Sequence, residues 1–72
     1  MRIEVMTGRG HEVLAEWNSE TADQELRSIE TRFRELMRLG YSAFGTESGE
    51  RLAGFDPALH EDVVFIAPVR GG

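Results

Sequence analysis

Val63-Val64-Phe65-Ile66-Ala67 is an unbroken apolar run close to the end of the chain. It shows no alternation, which predicts a strand covered on both faces and therefore central in its sheet. The start of the chain is patterned differently. Met1, Ile3 and Val5 alternate with Arg2 and Glu4, the period of a half-buried strand. Thr7-Gly8-Arg9-Gly10 follows, with two Gly available for positive φ in a turn. A second alternating run then places Val13, Ala15 and Trp17 on one face and Glu12, Leu14 and Glu16 on the other. Two such segments around a short Gly-containing loop predict a β-hairpin.

Between the hairpin and the apolar run the period changes. Thr21-Ala22-Asp23-Gln24 has the form of a capping box. Leu26, Ile29, Phe33, Leu36 and Met37 recur at three- and four-residue spacing, one apolar stripe on a helix. Asp23/Arg27 and Glu30/Arg34 stand at i,i+4 in the favourable order, and Gly40 is placed to end the helix. The spacing predicts a helix over 22–39. Beyond it, Tyr41-Ser42-Ala43-Phe44 reads as a short strand and Glu47-Ser48-Gly49-Glu50 as a turn. Arg51–Phe55 is a weaker strand interrupted by Gly54. Asp56-Pro57-Ala58-Leu59 reads as a capped helical turn with Pro at its first position. The predicted core packs Leu26, Ile29, Phe33 and Leu36 on Ile3, Val5, Val13, Ala15, Trp17 and Phe65.

Seventy-two residues allow one small domain with one modest core. There is no Cys, so neither a disulfide nor a thiolate metal cage can staple it, and the chain cannot supply a nucleophilic thiol. A net charge of −5 argues against nucleic acid, whose phosphates need clustered cations. All eight basic residues are Arg, which reads as composition bias and leaves no ε-amine for an isopeptide bond. The first residues lack the apolar run of a signal peptide, and no stretch is long enough to span a bilayer. The expectation is a cytoplasmic protein with no membrane contact.

Few residues suggest catalysis. His11 and His60 are isolated, and His60-Glu61-Asp62 does not provide the spaced ligands of a zinc site. Gly8-x-Gly10 is too short for a dinucleotide fingerprint. Glu20, Asp23 and Glu25 read as compensation of the helix dipole. No metal and no catalytic residue is expected, and the chain does not read as an enzyme.

The tail reads differently. Pro68-Val69-Arg70-Gly71-Gly72 ends in two residues without Cβ atoms, able to lie extended in a channel too narrow for side chains. The expectation is a domain over 1–68 and a flexible diglycine tail over 69–72, with a free α-carboxylate on Gly72.

The order hairpin, helix, then two or three strands with the last one central and parallel to the first is the β-grasp arrangement, an α+β class. Over its whole length, in element order, the chain resembles ubiquitin-like proteins. Pro68-Val69-x-Gly71-Gly72 is similar to the tails of bacterial sulfur carriers, and Arg70-Gly71-Gly72 to the mature tail of ubiquitin and of small bacterial ubiquitin-like proteins. The Val-Asn type motif of the sulfur carriers is missing from Tyr41–Thr46, and the lysines through which ubiquitin builds chains are absent.

The resemblance implies a protein substrate that binds no cofactor itself. A ubiquitin-activating-like adenylating enzyme would use ATP and Mg²⁺ to activate the Gly72 carboxylate, with Gly71 giving access and Arg70 docking on an acidic surface. A conjugating enzyme and a deconjugating peptidase are further implied partners, with a protein target or a sulfur donor at the end of the route. Leu14, Val64 and Ile66 are expected on the open face of the sheet as a partner contact. Three outcomes stay open: a protein modifier, a sulfur carrier forming a thiocarboxylate, and a non-conjugated binding or phage-associated structural module.

Overall fold

Arg2–Thr7 (β1) and Gly10–Glu16 (β2) form the expected antiparallel hairpin. The computed structural model describes residues 1–68; the tail assigned from sequence to 69–72, with Arg70, Gly71 and Gly72, lies outside the described residues. Thr7 and Gly10 close the hairpin as its last pair. The Thr7 hydroxyl accepts from the Arg9 N–H and donates to the Gly10 carbonyl, both at 3.1 Å. Of the two glycines only Gly10 takes a positive φ, at 114°.

Helix α1 spans Asp23–Arg38, inside the expected range. Its start corrects the sequence reading. The residue before it is Ala22, with no side-chain cap. Thr21 Oγ1 instead accepts from the Asn18 N–H at 2.8 Å, and Asn18 Oδ1 accepts from the Glu20 N–H at 2.7 Å. The hydroxyl is committed to the turn that redirects the chain out of β2, so it cannot cap the helix. Of the two i,i+4 pairs, only Glu30–Arg34 is in ion-pair range, at 3.6 Å. The helix end is as read. Gly40 has φ 96°, and its N–H bonds to the Met37 carbonyl while that of Tyr41 returns to Leu36, the paired bonds of a Schellman motif.

Ser42–Gly45 (β3), Arg51–Leu52 (β4) and Val63–Ile66 (β5) complete a five-stranded sheet in the order β2-β1-β5-β3-β4. Strand β5 runs parallel to β1 and antiparallel to β3. This is an α+β fold in the β-grasp arrangement, with the last strand central in the sheet order. Asp56–Leu59 makes one turn, closed by the Leu59 N–H on the Asp56 carbonyl at 3.1 Å, and does not propagate into a helix.

The core lies between helix and sheet: Ile3, Val5, Trp17, Ile29, Phe33, Ala43, Val63 and Phe65 are buried. Phe65 and Phe33 meet edge to face at 4.7 Å between ring centres, and Phe55 bridges Phe33 to Trp17, meeting the latter at 5.1 Å. The Trp17 indole donates to the Pro57 carbonyl at 3.3 Å, so the loop after β4 is fastened over the open end of the core.

Two sequence expectations fail here. Val13 is not core but 48% exposed. The ladder steps from Ile3↔Ala15 to Glu4↔Val13, leaving Leu14 as the extra residue of a β-bulge, and a one-residue slip exchanges the faces of every residue beyond it. Leu14 therefore packs on the helix side, not on the open face. Strand β5 is also not covered on both faces. Val63 and Phe65 are buried, whereas Val64 is half-buried and Ile66 is 39% exposed. Its centrality is lateral only, because the single helix can cover only one face.

Candidate functional site

The uncovered face of the sheet is the site the fold builds. Pairing aligns Val13, Glu4, Val64, Phe44 and Arg51 in one cross-strand row. The next row holds His11, Met6, Ile66 and Ser42. Four of these form a contiguous apolar area: Met6, Phe44, Val64 and Ile66. Met6 and Ile66 are about two-fifths exposed, at 41% and 39%, which is high for a core-facing run and ordinary for a contact surface. Glu4 stands beside this area, 3.6 Å from Arg2 Nε and 3.7 Å from His11 Nδ1. An apolar centre with a charged border is the composition of a protein contact patch.

Of the residues expected on this face, Val64 and Ile66 are there and adjacent. Leu14 is not. Its place is taken by Val13, for the reason given by the bulge. Met6 and Phe44 escaped the sequence reading, although Met6 continues the alternation begun by Arg2 and Glu4 and could have been assigned from it. Phe44 needed the register of β3 on β5.

The patch lies at the end of β5 that leads towards the C-terminus. A Cβ added to Gly40 would come within 3.4 Å of Pro68 Cβ, so the last described residue is seated beside the helix end. Met6, Ile66 and Ser42 share the row nearest to it. Arg70, Gly71 and Gly72 follow within a few residues in sequence.

The acidic segment before β5 has a structural task. Glu61 Oε1 accepts from the N–H groups of Glu47 and Ser48, both at 2.8 Å. The Ser48 N–H, then its hydroxyl, then the Glu47 N–H hold the Glu61 carboxyl below its ordinary value. Asp62 Oδ1 accepts from the Arg2 N–H at 3.0 Å. Both carboxylates therefore fasten backbone. Among the described residues no group of three or more His, Asp or Glu is arranged to hold a metal ion, and no helix is long and apolar enough to cross a membrane. A polar, open cleft of about 470 Å³ lies between Arg2, Trp17, Asn18, Glu25 and Asp62.

No family model, curated protein or solved structure matches the chain. What it can do is therefore read from its own residues and their geometry.

Proposed function

We propose that this chain is a ubiquitin-like protein modifier, activated at the Gly72 carboxylate by a separate adenylating enzyme. The observation that carries this is a β-grasp domain with an uncovered apolar patch beside the end of its central strand β5, in a chain whose sequence has four residues between that strand and Gly71-Gly72. Gly72 is the reactive residue whether it is the translated end or is exposed by a peptidase.

The chemistry is that of a substrate. The Gly72 carboxylate attacks the α-phosphate of ATP on the partner, pyrophosphate leaves, and an acyl-adenylate remains. A thiolate of a partner enzyme displaces AMP to give a thioester, since this chain has no Cys. A target amine then takes the acyl group and the thiol is released. The partner supplies Mg²⁺ and the groups that stabilise the developing charge. Met6, Phe44, Val64 and Ile66 would seat the domain on the enzyme, and Arg70 would meet an acidic surface ahead of the active site.

Pro68-Val69 ahead of the diglycine favours a second reading, a carrier whose acyl-adenylate is captured by sulfide as a thiocarboxylate. One experiment separates the two. The chain is incubated in extract of its source cells with ATP, Mg²⁺ and sulfide, then recovered for intact and tryptic mass analysis. Trypsin cuts after Arg70 and leaves a Gly-Gly remnant on a conjugated target, the expected result. A gain of about 16 Da on the intact chain would instead assign the carrier, as –COSH replaces –COOH. A chain lacking Gly72 that behaves identically would leave neither reading standing and would favour a binding module.

A further inference from the structure

Helix α1 turns its apolar stripe to the sheet, with Ile29 and Phe33 buried, and leaves its opposite side to solvent. At about 100° per residue, Gln24, Arg27, Thr31, Arg34 and Arg38 fall together on that outer ridge, within an arc of about 80°. All five are exposed. Three of the chain's eight Arg stand here and none of its thirteen carboxylates, so the ridge is a cationic strip on an acidic molecule. From Arg27 to Arg38 it is about 16 Å long, with Glu30 and Glu35 on its flanks.

Local demands account for only part of this strip. The helix dipole favours Arg38, in the last turn, but not Arg27 near the start. Arg34 reaches Glu30 at 3.6 Å. Among the described residues Arg27 and Arg38 are in no ion pair, although Asp23 and Glu35 each lie one turn away. Thr31 donates its hydroxyl proton to the Arg27 carbonyl at 2.9 Å. Its side chain is short, and a cleft of about 260 Å³ opens between Thr31, Arg34, Glu35 and Arg38. Two guanidinium groups one turn apart therefore border a notch with room for a side chain.

We infer that the outer ridge of α1 docks an acidic helix of a partner protein, one with carboxylates on a single face at three- and four-residue spacing. Such a helix has the same rise per residue as α1, so its carboxylates meet Arg27, Arg34 and Arg38 in register. Each guanidinium donates two N–H bonds to one carboxylate, and a central Glu enters the notch above Thr31. Charge selects the occupant. A bilayer surface would need apolar side chains beside the cations, and the ridge has none. A nucleic acid strand would run past this short strip onto a molecule of net charge −5. The ridge is on the opposite side of the sheet from the Val64–Ile66 patch and does not depend on Gly72, so it stands apart from the modifier reading.

The test uses the full chain, ¹⁵N-labelled, and a capped Ala/Gln-based helical peptide whose Glu residues lie on one face. A second peptide of the same composition scatters its Glu around the helix, and a short oligodeoxythymidine supplies phosphate instead. The one-face peptide should bind at least tenfold more tightly than either and weaken as salt is raised. Amide shifts should centre on residues 24–38. Arg27→Glu and Arg38→Glu should each weaken its binding at least fivefold. Arg9→Glu makes the same charge change at an exposed hairpin residue and should alter binding less than twofold. Trp17 fluorescence checks that each variant remains folded. Equal binding of the scattered peptide or the oligonucleotide, equal loss in all three variants, shifts centred on the sheet, or no binding at millimolar peptide would each overturn the inference.

Discussion

The Glu61 carboxylate occupies the space that a side chain on Gly45 would need. A Cβ built at Gly45 would overlap the carboxylate itself, and from that position Glu61 holds the Glu47 and Ser48 N–H groups. The β3–β4 turn is thereby tied to the segment that leads into β5, a link the Thr46 N–H to Asp62 carbonyl bond doubles at 2.9 Å.

Gly45→Ala should displace Glu61 rather than the backbone, because the carboxylate is the free end of a flexible side chain. The expected loss is that of the two Glu61 hydrogen bonds, since the carboxylate can swing aside. Glu61→Ala should remove the same two bonds. Urea unfolding of both single variants and the double variant should show strong non-additivity. Additive losses would mean that the two residues act separately.

The pH dependence follows from the lowered Glu61 value. A carboxyl whose folded value is depressed stabilises the fold fully above its unfolded value, near 4.5. That contribution disappears as the pH falls through the lower folded value. The thermal midpoint of the wild type should therefore fall more steeply than that of Glu61→Gln below about pH 4.5. Parallel curves would show that the carboxylate charge contributes nothing.

Neighbouring residues in β5 should differ widely in the cost of truncation. Phe65→Ala removes a fully buried ring packed on Phe33 and should cost about 3–5 kcal/mol, enough to unfold much of a domain this small. Ile66→Ala, on the open face, should cost under about 1 kcal/mol. Denaturation followed by Trp17 fluorescence reads both.

The bulge makes a matching pair in β2. Val13→Thr should be tolerated within about 0.5 kcal/mol, as for other exposed sites. Leu14→Ala should cost about 1–2 kcal/mol through lost packing on the helix side. The reverse order would restore the unbulged register.

Gly40→Ala should cost about 1–2 kcal/mol, since φ of 96° is unfavourable for any residue with a Cβ. Circular dichroism during thermal unfolding would detect it. No loss would mean that the helix end re-forms without its Schellman bonds.

The element order was legible in the chain because each element buries one face at its own period. Alternation at Ile3 and Val5, the 3.6-residue stripe through Ile29 and Phe33, and the apolar run at Val63–Ile66 each specify one local geometry. Together they determine the hairpin, the helix and the lateral centrality of β5. The Gly40 helix end was legible for the same reason, since a positive φ is a local demand. Thr21 misled because a hydroxyl near a helix start serves either the helix or the turn before it, and Asn18 decided which.

The functional surfaces were decided by tertiary structure. Val13 and Leu14 are equally apolar, so composition cannot say which faces the helix; the pairing offset at Ile3 and Glu4 assigns them. Phe44 joins Val64 on the open face only through the β3–β5 register, and Glu61 finds Gly45 only across a turn. The chain alone determined which segments are strand or helix and that it carries Arg70-Gly71-Gly72. Which apolar residues remain exposed was set by long-range register, because a side chain's face depends on the strand beside it as well as on its own.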